Sequence, residues 1–145
     1  MLKNEDSCII IFEGENEYMK KEIIKIVEKY QEVIHSQNKE DFDELWSTHH
    51  ECSLISITHE YRGVESIYQD FLINGIQKAY TSIELINDGI EINMIRDDLA
   101  IVIFQYHTEC IKRDTGEAYG IQGVETQIVI KEDGLWKLLH VHYSK

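Results

Sequence analysis

The residues most able to do chemistry stand near the C-terminus, in residues 123–145, GVETQIVIKEDGLWKLLHVHYSK. An Asp133-Gly134 pair between two runs rich in β-branched residues reads as a hairpin turn, because glycine takes positive φ without steric cost. Side chains two apart share a face of a strand. Trp136, Leu138, His140 and His142 are therefore expected on one face, and Lys137, Leu139, Val141 and Tyr143 on the other. An imidazole titrates near neutrality, so it can move a proton or hold an anion. A row that is apolar at one end and titratable at the other suits the floor of a half-buried pocket.

His140-x-His142 also has the spacing of two metal ligands on one strand face. A third ligand would have to come from upstream, from Glu125, His107, His59 or Glu109. The role of Glu125 depends on register. With a two-residue loop, Glu132 faces Leu135 and Glu125 faces His142, which makes a carboxylate–imidazole pair. With a three-residue loop, Lys131 faces Leu135 and Thr126 faces His140, and Glu125 turns away. One residue of slip moves every side chain to the opposite face.

The elements that must position these groups follow from periodicity. Met19, Ile23, Ile26, Val27, Tyr30, Val33 and Ile34 make one apolar stripe at the 3.6-residue period, which predicts a long helix over residues 17–36. Tyr30 sits on that stripe and can present its hydroxyl to a cavity. Asn38 caps a short second helix carrying Phe42, Leu45 and Trp46. Residues 53–58 read as a strand, and residues 64–73 as a third helix ended by Gly75. From Tyr80 the period changes to two. A long strand over residues 99–110 places Ala100, Val102, Phe104, Tyr106 and Thr108 on a lining face, and Ile103, Gln105, His107 and Glu109 on the outer one. Residues 7–12 form a short β-prone run, so residues 1–16 are expected as an N-terminal extension or an added strand. Helices followed by strands argue α+β, with helices on one face of a curved antiparallel sheet.

Composition narrows the classes. The chain has 145 residues, most simply one domain over 1–145. Its net charge of −13, with no large Lys/Arg cluster, argues against a nucleic-acid partner. No apolar run reaches membrane-spanning length, and the apolar run near the start is too short and too acidic for a signal peptide, so a cytoplasmic protein is expected. Cys8, Cys52 and Cys110 have no metal spacing and read as reduced, packing thiols. No cofactor is implied.

Several stretches carry a resemblance. Glu125-Thr126, Asp133-Gly134, Trp136, His140, His142 and Ser144 resemble the C-terminal hairpin of SnoaL-like proteins of the nuclear transport factor 2-like superfamily. They are also similar to the association domain of calcium/calmodulin-dependent protein kinase II. Residues 21–46 resemble the first two helices of these families, Arg62-Gly63-Val64 with Ile67 and Phe71 the third helix, and Asp98-Leu99-Ala100 the start of the long strand. The resemblance implies a cone-like sheet wrapped around the long N-terminal helix plus two shorter helices, with a small-molecule site in the open end. It favours the three-residue loop, with Glu125 outward. It also implies a homodimer through the outer sheet face. Two departures stand out. The arginine many SnoaL-like members carry two residues before Thr126 is Val124, and the arginine the association domain carries after its Glu-Thr is Gln127. Both remove a cationic partner for a carboxylate. Ketosteroid isomerase residues have no counterparts that match.

The expectation is therefore a small-molecule-binding protein whose pocket is lined by His142, His140, Trp136, Tyr106, Thr126 and Tyr30. If it catalyses, a pocket histidine would transfer the proton. The alternative is a homo-oligomeric assembly domain without activity, its contacts made by residues 8–12 and the outer sheet face.

Overall fold

The computed structural model describes the backbone of residues 2–145; the side chains of residues 1–13 and of Glu15 lie outside the described residues. Helix α1 runs Leu2–Ser36. Its inward stripe, Ile23, Val27, Tyr30 and Ile34, is fully buried, as spacings of four, three and four require of a helix with one covered face. The strand expected over residues 7–12 is instead part of this helix. Propensity is a weak signal, so the β preference of three isoleucines does not decide this segment. Gln37 closes the helix at φ 60°. Helix α2, Lys39–Leu45, starts where the Asn38 side chain accepts from the Asp41 amide at 3.0 Å. Phe42, Leu45 and Trp46 go into the core beneath it.

Strands β1 (Ser53–Ile55) and β2 (Glu60–Arg62) form a small hairpin. Helix α3 opens at Val64–Ser66 and continues as a wider-turned π-helix through Ile67–Gln77. Gly75 does not end it, as the sequence suggests, but lies inside its last turns. Strands β3 (Tyr80–Arg96), β4 (Leu99–Lys112), β5 (Ala118–Tyr119), β6 (Gln122–Glu132) and β7 (Leu135–Ser144) complete the chain. The sheet order is β2-β1-β7-β6-β4-β3, with β5 on β4. Every pairing is antiparallel except β1 with β7, so the sheet is mixed rather than a pure meander. A bulge between Asn87 and Gly89 bends the long β3, as an extra unpaired residue does. The curved sheet wraps α1 as a cone. Its concave face packs Ala100, Val102, Phe104 and Val129 against the helix stripe.

The β6–β7 hairpin decides which side chains enter the cone. Asp133 (φ 51°) and Gly134 (φ 81°) make the two-residue turn, and Glu132 pairs with Leu135. Leu138 pairs with Val129 and His140 with Ile128, leaving Leu139 as a one-residue bulge. Before the bulge Trp136 and Leu138 face the core; after it Val141 and Tyr143 do. Neither uniform register expected from the sequence survives: Thr126 pairs with His142, and Glu125 with Tyr143.

Backbones approach closely at the far end of this hairpin. A Cβ on Gly123 would overlap the Ser144 carbonyl oxygen. Gly123→Ala is therefore expected to lower the urea midpoint of unfolding by the equivalent of about 2 kcal/mol, the usual scale of overpacking. Gly134→Asn, at an open turn position with positive φ, should change it far less.

Candidate ligand site

A cavity of about 400 Å³ opens at the wide end of the cone, a size suited to a small organic molecule. Several elements contribute to it. Tyr30 and Ile34 come from α1, Tyr61 from β2, Phe71 and Ile76 from the π-helix, Tyr80, Ile83 and Leu85 from β3, Tyr106 and Cys110 from β4, Glu125 from β6 and Tyr143 from β7. The wide helical turns bring Phe71, Gly75 and Ile76 to the same wall.

Glu125 is the polar centre of this cavity and only 3% exposed. Its Oε2 accepts from Gln127 Nε2 at 2.7 Å, and the Tyr30 hydroxyl reaches the same carboxyl. Among the described residues no lysine or arginine pairs with it. Removal from water disfavours the charged form, so the carboxyl is pushed up to about 8 from its ordinary 4.5, and the Gln127 hydrogen bond and the nearby Tyr30 hydroxyl offset only part of that. Burial and the nearby carboxyl also raise the phenols. Tyr106 rises to about 12, and Tyr30 and Tyr143 go well above their ordinary range. At neutral pH the cavity thus holds a protonated acid among neutral phenols. Such an acid can donate a hydrogen bond, and near pH 8 it can both give and take a proton.

Of the residues expected to line the pocket, Tyr30 and Tyr106 do line this cavity, and the Tyr106 hydroxyl donates to the Ser144 carbonyl at 2.9 Å. The other four do not. His140 and His142 lie on the outer face of the sheet, because the Leu139 bulge reverses the alternation of β7 after Leu138, and Thr126 lies there because it alternates with the buried Glu125 and Gln127 on β6. His140 Nδ1 is 2.7 Å from Ser53 Oγ on β1, and the two imidazole rings stand 6.4 Å apart. Burial, with His142 alongside, holds His140 below its ordinary value. Trp136 faces inward but is buried in the core, away from the cavity lining. Among the described residues no three metal-ligating side chains converge, so the upstream ligand that the two histidines would need is not in place.

The sequence reading turned Glu125 outward and left Tyr143 on the far face. The two-residue Asp133-Gly134 turn brings Glu125 inward, and a signal in the sequence could have corrected Tyr143. The apolar positions Leu138, Val141 and Tyr143 step by three and then two, and the odd step marks a bulge in the Leu138-Leu139-His140 run.

Comparison with known proteins agrees with this architecture. The chain is similar to a nuclear transport factor 2-like superfamily protein from Salmonella enterica serovar Typhimurium, with 25% identity, TM-score 0.83, and 89% of this chain and 92% of the other covered. It is also similar in fold to the LinA-type3 hexachlorocyclohexane dehydrochlorinase from Novosphingobium barchaimii, with 12% identity, TM-score 0.80, and 91% and 89% covered. No curated protein matches the chain. The family model described as the calcium/calmodulin dependent protein kinase II association domain matches residues 19–145. The chain belongs to that family, on a nuclear transport factor 2-like fold.

Proposed function

We propose that this protein binds a small organic molecule in the cone cavity, with Glu125 as the group that fixes or protonates it. The observation that carries this reading is a carboxyl buried without a cation at the polar centre of an otherwise aromatic and aliphatic cavity. Burying such a group is costly for stability, and perturbed carboxyls of this kind cluster at sites of function. The proton-transfer role first assigned to a pocket histidine passes to Glu125. His59 is the imidazole that does reach the cavity lining, and it is exposed. The fold neighbour that is a dehydrochlorinase has a small-molecule substrate by its name, which fits the cavity reading without naming a substrate here.

A second reading concerns assembly and is compatible with the first. The outer sheet face presents Ile101, Ile103 and Ile128, each only partly covered in the single chain, around His107 and Thr126. With membership of an association-domain family, this face is proposed as the homodimer contact. Among the described residues no helix is long and apolar enough to cross a membrane.

Three outcomes are expected. In a thermal-shift screen against a metabolite panel, ligand-dependent stabilisation should appear in the native chain, vanish with Tyr143→Ala and Glu125→Leu, and persist with His142→Ala. Loss with His142→Ala alone would move the site to the outer face. Next, the folded chain keeps the Glu125 proton up to about pH 8, while the unfolded chain loses it near 4.5. The stability this group contributes is therefore complete below pH 4.5 and falls as pH rises through 8, by about 1.4 kcal/mol per unit between. Glu125→Gln should flatten that slope in urea titrations, and carbon-detected NMR should place the Glu125 midpoint near 8; a midpoint below 5 would refute the neutral-acid reading. Finally, light scattering should show a dimer for the native chain and a monomer for Ile103→Asp, with thermal unfolding little changed. A native monomer at 100 micromolar would remove the assembly reading.

A further inference from the structure

The cavity wall is a run of aromatic rings in mutual contact. Tyr61 and Phe71 have centroids 5.6 Å apart, Phe71 and Tyr143 6.0 Å, and Tyr143 and Tyr106 6.1 Å at an interplanar angle of 87°. Tyr80 and Tyr119 stack at 5.9 Å on another part of the lining. Tyr30 adds a further ring beside the carboxyl. The π-faces of aromatic rings attract cations. The carboxyl of Glu125 belongs to the same wall, and among the described residues no arginine does. The cationic or titratable nitrogen groups on the lining are Lys145 and His59, both exposed. A net charge of −13 adds a long-range pull on positive solutes.

We infer that the cavity takes an organic ammonium cation, its charged head against Glu125 and its alkyl groups among the rings of Tyr61, Phe71, Tyr106 and Tyr143. This rests on the small-molecule reading and names the chemical class. A cation supplies the counter-charge that neither Gln127 on the same strand nor Tyr30, Tyr106 and Tyr143 on the facing elements can give. A carboxylate ligand would meet a second acid and the negative faces of the rings. Because burial keeps Glu125 protonated at pH 7, the cation displaces that proton as it binds. Affinity should rise about tenfold per pH unit below pH 8 and level off above it.

The test is a series of one shape and three charges, measured by isothermal titration calorimetry on the full chain. The probes are choline, its neutral carbon isostere 3,3-dimethylbutan-1-ol, and 3,3-dimethylbutanoate. At pH 8 choline is expected to bind at least tenfold more tightly than the alcohol, with the carboxylate weakest. Glu125→Gln should cut the preference for choline over the alcohol to what the rings supply, and an unchanged preference overturns the inference. In the native chain at pH 7, heats compared across buffers should show close to one proton released per choline bound, a readout that needs no variant. Equal or tighter binding of the alcohol overturns the inference, as does choline binding without proton release or the absence of choline binding at millimolar concentration. If choline fails while other members of the metabolite panel stabilise the chain, only the cation assignment falls. If no panel member stabilises it, the small-molecule reading falls as well.

Discussion

A single unpaired residue, Leu139, sets the inner surface of the cone. Strand β7 has to satisfy two neighbours at once, β6 on one edge and the short parallel β1 on the other. Its first half is also held by the chain after α2, where the Ser47 amide donates to the Leu138 carbonyl at 2.8 Å. The bulge lets the strand keep Trp136 and Leu138 in the core and still turn Val141 and Tyr143 inward. Without it, the two imidazoles would enter the cone and Tyr143 would leave it. Because β6 runs without a bulge against β4, the inward set Glu125, Gln127 and Val129 keeps strict alternation and stands opposite Tyr143, Val141 and Leu138.

The cost of that arrangement is a carboxyl in a dry place. Protein interiors tolerate a buried acid when it is paired, or when it stays neutral. Glu125 takes the second course. Gln127 sits two residues away on the same face, donates one hydrogen bond, and leaves its own Oε1 without a protein partner. At Gln127 the association-domain pattern has an arginine, which would hold the carboxyl ionised. A neutral amide there leaves the acid free to titrate near physiological pH. The difference between a permanent ion pair and a titrating acid thus comes down to one residue on an interior strand face.

The rest of the fold serves to keep this cavity open at one end and filled at the other. Ile23, Val27 and Phe104 are packed to full burial, while Tyr106 and Tyr143 on the cavity wall meet edge to face. The wide turns of the π-helix carry Phe71 and Ile76 to the cavity wall, and turns of this wider kind, rare overall, are frequent at functional sites.

Local pattern was enough to give the long apolar stripe of α1, the capped α2, the Asp133-Gly134 turn, the lining face of β4 and the α+β class, because each depends on spacing within one segment. It was also enough to put Tyr30 and Tyr106 on inward faces. The chain's β-prone run at residues 7–12 and its Gly75 were misleading, since propensity is a weak signal. Only the tertiary structure decided that Glu125 and Tyr143 face the cavity while His140 and His142 face out. Strand alternation is fixed by pairing with neighbours distant in sequence, and one unpaired residue, placed by those neighbours, reverses every side chain that follows it.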